Sequence, residues 1–239
     1  MLKMIVSGCN GHMGQSVVNI CSGMEDVEVV AGFNRTAVSR NGFPVYSDPM
    51  EYTGEADVVI DFSNPANLTA LLRFAVERQV PIVLCTTGYS AAQLAEIDAA
   101  AQKVPVFKSG NMSLGINLML HLVRRAAAVL GADFDIEIVE RHHRRKVDAP
   151  SGTALMIAEA AAESLPYEPE LTFERHSVRQ PRGKHEIVFA GLDEVFEIKH
   201  AALSRDVFAA GAVTAARFIA GVRAPGMYDM DDALAEVMK

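Results

Sequence analysis

The beginning of the chain constrains its fold most. Met4 to Ser7 is a short apolar run of strand character that leads directly into Gly8-Cys9-Asn10-Gly11-His12-Met13-Gly14. An amphipathic helical pattern then continues to about Ser22. The glycines are spaced G-x-x-G-x-x-G, a variant of the turn that joins strand to helix in a dinucleotide-binding unit. Such glycines permit a tight turn, let backbone approach a pyrophosphate, and allow the helix to pack closely on the strand. The helix N-terminus adds free N–H groups and a partial positive charge for the phosphate. A plain glycine turn has the same composition, so the motif takes its meaning from the residues downstream.

Downstream the chain alternates repeatedly. Strand-like runs are expected at Val27 to Phe33, Ala56 to Phe62, Pro81 to Cys85 and Val104 to Lys108, with helices from about Ala66 to Arg78 and Ala91 to Gln102. Strands alternating with helices predict βαβ units and a parallel sheet covered on both faces. After Gly110 the pattern changes. A long helix, Leu114 to Leu130, precedes a half-buried strand from Phe134 to Arg141 and a helix from about Ser151 to Leu165. The runs Leu171–Val178, His185–Ala190 and Val195–Ala201 then predict an antiparallel or mixed sheet in a second domain, before a last alanine-rich helix from Ser204 to Ala220. The fold class is therefore α/β, with a parallel-sheet domain and an α+β domain.

Composition narrows the function classes. Of 239 residues, 50% are hydrophobic and 22% charged, as in ordinary globular proteins. The three cysteines, Cys9, Cys21 and Cys85, form no CxxC pair and suit a reducing compartment such as the cytoplasm. No apolar run reads as a signal or membrane span.

The second anomaly is Glu140 to Ala154, ERHHRRKVDAPSGTA, a basic cluster on a chain of net charge -8. Such a cluster suits one small anion better than a polyanion, and without interleaved aromatics no nucleic-acid partner is expected. His142 and His143 are adjacent, so a continuing strand points them to opposite faces. No second histidine or cysteine stands at ligand spacing, and no metal is expected. A solvated basic loop is the plain alternative. Against it stands Asp148-Ala149-Pro150-Ser151-Gly152-Thr153-Ala154, where proline pre-sets a helix start that Ser151 or Thr153 can cap. That N-terminus, near Lys146 and the histidines, would bind a carboxylate.

Cofactor contacts are read from the same pattern. The position past the second strand, where an acid grips the ribose in NAD-specific folds, holds Asn34-Arg35. Arg35 could pair with a 2′-phosphate, which favours NADPH, or both NADPH and NADH, over strict NADH. Cys85-Thr86-Thr87-Gly88 and Ser109-Gly110-Asn111-Met112 come directly after strands, where α/β sheets bind ligands. A nucleophilic Cys85 lacks a local partner histidine.

The run E-x-H-H-x-x-K-x-D-A-P-S-G-T-A, after an N-terminal G-x-x-G-x-M-G turn, resembles the 4-hydroxy-tetrahydrodipicolinate (dihydrodipicolinate) reductase family. Asp61-Phe62-Ser63, Thr86-Thr87-Gly88, Asn111 to Asn117 and Gly191-Leu192 extend the match over nearly the whole chain. The resemblance implies a Rossmann-type dinucleotide-binding domain at 1–113 plus 206–239, with a substrate-binding and oligomerisation domain at 114–205. It implies a homotetramer paired through the substrate-domain sheets. It implies NAD(P)H-dependent reduction of a cyclic dicarboxylate in the diaminopimelate route to lysine, with the ligand spanning both domains.

The resemblance places His142 and Lys146 as proton donors and His143, Ser151, Gly152 and Thr153 at the substrate. It places Gly8, Cys9, Asn10, Gly11, His12, Met13, Asn34, Arg35, Phe62, Cys85, Thr86, Thr87, Ser109, Gly110, Asn111 and Met112 at the cofactor. Asn34, Met112 and Cys85 stand where many members carry an acid, a phenylalanine and a glycine, which leaves the NADPH-to-NADH preference open. Two rivals remain: an amino-acid dehydrogenase acting on aspartate, and a redox-sensing protein that holds the nucleotide without turnover.

Overall fold

A computed structural model describes residues 1–143, 150–178 and 183–235, with backbone only for residues 143, 175, 177 and 178. Its elements run in the order β1 (Leu2–Ser7), α1 (His12–Cys21), β2 (Val27–Phe33), β3 (Val45–Tyr46), β4 (Val58–Asp61), α2 (Leu68–Arg78), β5 (Ile82–Leu84), α3 (Ala91–Ala101) and β6 (Pro105–Lys108). They continue with α4 (Leu114–Leu130), β7 (Asp135–His143), α5 (Gly152–Ala162), β8 (Leu171–Val178), β9 (Gly183–Ala190), β10 (Val195–Ala202), α6 (Asp206–Ala220), β11 (Gly226–Tyr228) and α7 (Met230–Leu234). These elements form two compact units, Met1–Met112 with Phe208–Lys239, and Ser113–Val207.

The first unit is Rossmann-like. Its parallel sheet has the order β11-β6-β5-β4-β1-β2-β3. The chain starts in the middle, moves to β3, then crosses to β4 and outward, so β1 and β4 are neighbours at the point where direction reverses. Continuous apolar runs suit strands covered on both faces, and all four residues of β4 are buried. On one side Ile5, Val59, Ile82 and Val106 pack with Leu68, Leu71 and Phe74 of α2 and Ile97 of α3. The alanine-rich α6 belongs to the same unit and packs tightly enough that a methyl at Gly211 would overlap the Met112 carbonyl. The edge strands β3 and β11 are absent from the sequence reading, because two or three residues are too few to show a period.

The second unit is built on a mixed sheet of order β10-β9-β7-β8. β7 pairs parallel with β8 and antiparallel with β9, and β9 pairs antiparallel with β10. Ile136 and Ile138 of β7 and Ile187 and Phe189 of β9 share a core with Ile116, Leu120 and Val123 of α4 and Ile157 of α5. No run was expected to pass for a membrane span, yet Leu114–Asp133 is long and apolar enough by composition, with mean hydropathy 1.3. Arg124 and Arg125 break its apolar run, so it reads as amphipathic in sequence. Its buried face serves the core of this unit.

Candidate active site

In the first unit, β1 ends at Ser7 and the chain turns at Gly8, whose φ of +76° only glycine adopts without strain. The Gly8 N–H bonds the Phe33 carbonyl at 2.8 Å, and its own carbonyl accepts from the Gly11 N–H at 2.8 Å. A methyl on Gly14 would overlap that carbonyl, so α1 lies directly against the turn. α1 starts after Gly11 with no side-chain cap and no acid in its first turn. Its first N–H groups and positive end are thus left for an anion, and the cradle that glycine keeps open fits a pyrophosphate.

The other expected cofactor residues lie at the carboxyl ends of these strands. Asn10 donates to the Val38 carbonyl at 2.9 Å, tying the turn to the loop that carries Asn34 and the exposed Arg35. His12 and Gly110 are exposed, Met13, Phe62 and Asn111 half-buried. The side chains of Cys9 and Met112 are buried in the core, which leaves their backbone groups for a ligand. Ser109 closes its own turn by donating to the Asn111 carbonyl at 3.1 Å.

Asp61, only a motif match in sequence, organises two of these loops. From the end of β4 its Oδ2 accepts the Thr86 hydroxyl at 2.7 Å, and its Oδ1 accepts the Ser63 N–H at 3.1 Å. Its backbone carbonyl accepts the Cys85 N–H at 2.9 Å. Burial, with the Asp61 charge nearby, pushes the Cys85 thiol well above its ordinary range, which disfavours a thiolate there. Burial also raises the Asp61 carboxyl, outweighing the hydrogen bonds from Ser63, Thr86 and Ser7 that pull it down.

The folded chain therefore holds the Asp61 proton more tightly than the unfolded chain does. Stability contributed by this site falls as pH rises from the ordinary carboxylate value of about 4 through the raised one. Asp61→Asn should lack that fall when unfolding free energies are measured by denaturant across mildly acidic pH. Identical slopes in the two proteins would remove the assignment.

In the second unit, alternation along β7 places Glu140 and His142 on the face that carries Ile136 and Ile138. Pairing of β7 with β9 sets Glu140 opposite His185. The apolar face thus ends in a polar cluster, with Glu140 3% and His142 4% exposed. His142 Nδ1 lies 3.2 Å from Glu140 Oε2, and His185 Nε2 lies 3.9 Å from the same oxygen. The two imidazoles meet edge to face at 5.0 Å.

Ser151 opens α5 beside them. Its N–H donates to both Glu140 oxygens, at 3.2 and 3.3 Å, and its hydroxyl accepts the Ala154 N–H at 3.2 Å. The same hydroxyl lies 3.2 Å from His185 Nε2. Ser151, rather than Thr153, is therefore the cap, with Gly152 and Thr153 in the first turn behind it. His143 ends β7, and Lys146 lies outside the described residues.

The sequence reading found no second histidine at ligand spacing, yet the sheet supplies His185. Glu140, His142 and His185 each offer one ligand atom within 4.8 Å of the others.

Sequence profiles of dihydrodipicolinate reductase match the chain in two blocks, an N-terminal one over residues 2–112 and a C-terminal one over residues 115–234. The chain belongs to the dihydrodipicolinate reductase family. It is 44% identical over 248 residues to the 4-hydroxy-tetrahydrodipicolinate reductase of Caldanaerobacter subterraneus subsp. tengcongensis, covering 97% of this chain and 98% of that one. The Clostridium tetani protein of the same name is 41% identical over 246 residues, covering 97% and 96%. Among solved structures, dipicolinate-bound dihydrodipicolinate reductase from Paenisporosarcina sp. TG-14 shares the fold, with a TM-score of 0.83 at 24% identity over 97% of this chain and 98% of that one.

Within this dihydrodipicolinate reductase fold, sequence reasoning assigned no role to Glu140, His185 or Asp61. Glu140 was within reach, since residues two apart on a strand share a face. His185 was not, because only the register of β9 on β7 brings it there.

Proposed function

We propose that this protein reduces 4-hydroxy-tetrahydrodipicolinate, by way of dihydrodipicolinate, to tetrahydrodipicolinate with NADPH or NADH, in the diaminopimelate route to lysine. The observation that carries this reading is the 44% identity across 97% of the chain to a reductase of that name. The glycine turn beside an uncapped helix and the buried histidine–carboxylate cluster beside a second helix start supply chemistry that suits it.

In this reading the backbone from Gly8 to Met13 holds the pyrophosphate, and Asn34 and Arg35 hold the adenosine ribose. Phe62, Cys85 to Thr87 and Ser109 to Met112 hold the nicotinamide half. Once bound, the nucleotide supplies a hydride to C4 of the ring. The first turn of α5, with Ser151, Gly152 and Thr153, and His143 hold the substrate carboxylates through N–H groups, hydroxyls and an imidazole. Fixing the ring in this way lowers the entropic part of the barrier. Electron density left on the enamine side of the ring is met by a proton delivered to C3 from His142 or Lys146. The same reading carries a cytoplasmic homotetramer with no membrane or nucleic-acid partner.

The test is to follow NADPH and NADH oxidation with substrate freshly made from pyruvate and aspartate semialdehyde. Both nucleotides should be consumed with formation of tetrahydrodipicolinate, and kcat/KM for NADPH should at least equal that for NADH. Nucleotide binding without product would overturn the function. A kcat/KM for NADH well above that for NADPH would overturn the role given to Arg35.

A further inference from the structure

We propose that Glu140, His142 and His185 form a binding site for a zinc-like divalent ion, and that filling it switches the enzyme off. The ion binding rests on the geometry of the three side chains alone. Its effect on turnover rests also on the reading of His142 as the acid.

The donor set is one that zinc takes, two imidazoles and one carboxylate. Among the described residues, this is the one set of histidines, cysteines and acids whose ligand atoms all lie within 4.8 Å of one another. Glu140 and His142 come from β7, and His185 comes from β9, where it stands opposite Glu140. The spacing rule that argued against a metal looks along one segment, and it misses a set assembled across two strands.

Separations test the fit. Two atoms bound at about 2.0–2.1 Å to a tetrahedral zinc stand about 3.3 Å apart. Glu140 Oε2 lies 3.2 Å from His142 Nδ1 and 3.9 Å from His185 Nε2. The first pair already has the required separation, and the second must close by about half an ångström. The Ser151 N–H, at 3.2 and 3.3 Å from the Glu140 oxygens, orients the carboxylate in the way that outer partners orient metal ligands. Zinc would replace the Ser151 hydroxyl, now 3.2 Å from His185 Nε2, while that hydroxyl keeps the Ala154 N–H. Magnesium and calcium prefer shells of oxygen and suit two imidazoles poorly.

Burial strengthens the attraction, since Glu140, His142 and His185 are 3%, 4% and 5% exposed and a buried carboxylate gains from a counter-charge. Pro150, the residue before Ser151, is exposed, so the cluster lies close beneath the surface. Three protein ligands leave a fourth position for water or an anion. A His142 ring bound to the ion is no longer an imidazolium, so a filled site lacks its acid.

The experiment titrates the metal-free full chain with Zn²⁺ by calorimetry and then records X-ray absorption at the zinc edge. One ion should bind per chain, with two imidazoles and an oxygen at about 2.0–2.1 Å. Mg²⁺ at the same concentration should not displace it. His185→Gln should weaken binding by more than about tenfold, since losing even an outer partner costs that much. In the reductase assay, filling the site should lower kcat by about 10²- to 10⁴-fold, and EDTA should restore it.

Failure to bind one ion per chain, or a spectrum with fewer than two imidazoles, would overturn the site, as would undiminished affinity in His185→Gln. Full kcat with the site filled would overturn the switch. The spectrum is taken on the wild-type chain and decides even if His185→Gln does not fold. It needs no turnover either, which separates failure of the site from failure of the proposed function.

Discussion

His142→Gln should lower kcat by about 10²- to 10⁴-fold, the range for losing a positioned general acid. Glutamine suits the test better than alanine because His142 is buried against Glu140. Alanine would leave that carboxylate without its imidazole, and breaking a buried pair costs about 3–5 kcal/mol, which confuses stability with catalysis. A glutamine amide keeps a polar group beside Glu140, yet it cannot deliver a proton at neutral pH. NADPH affinity should stay at the wild-type value, because the glycine turn belongs to the other unit. Single-turnover and steady-state rates with fresh substrate decide the matter. Nearly full turnover in His142→Gln would transfer the acid role to Lys146.

Gly8→Ala is expected to damage the first unit instead. At φ +76° an L-residue carries a left-handed penalty of about 1–2 kcal/mol. The new Cβ would also stand 2.5 Å from the Phe62 carbonyl oxygen and 2.8 Å from its carbon. Those atoms are backbone at the end of β4 and cannot rotate away, so overpacking adds about 1–3 kcal/mol. Relief requires the turn to move, and the turn aims the first N–H groups of α1. NADPH affinity should therefore fall by at least about tenfold, the equivalent of 1.4 kcal/mol. Denaturant unfolding should show the stability loss in the same variant. Wild-type affinity and stability in Gly8→Ala would mean that the turn tolerates displacement and does not cradle the phosphate.

The two halves of the candidate site differ in how far the sequence reveals them. The glycine turn is local: seven consecutive residues carry the strand end, the turn and the helix start, and each has a spacing rule. The long strands and helices were legible for the same reason, since periods of 2 and 3.6 repeat within one element. β3 and β11 were not, being too short for a period to repeat. The cluster around Glu140 is partly local, because Glu140 and His142 alternate onto one face of β7. His185 comes from 43 residues beyond His142 and joins only because Glu140 pairs with it across the sheet. Register of this kind depends on which strands pair, which no single segment encodes. Asp61 was hidden for another reason: a lone acid ending an apolar run looks like a strand terminus until the Thr86 hydroxyl is found on it.

The second unit is an insertion, and this bears on how the polypeptide emerges from a ribosome. β1 to β6 are synthesised first, yet α6 and the edge strand β11 come only after Ser113–Val207 has been made. Until then the β6 edge lacks the partner that Gly226–Tyr228 provides. Asp26 likewise waits for Arg217, which reaches it at 2.7 Å. The inserted unit has all its strands and helices contiguous in sequence and can finish folding earlier. The nucleotide turn is thus made before its sheet is complete, because α6 and β11 follow the inserted unit in sequence.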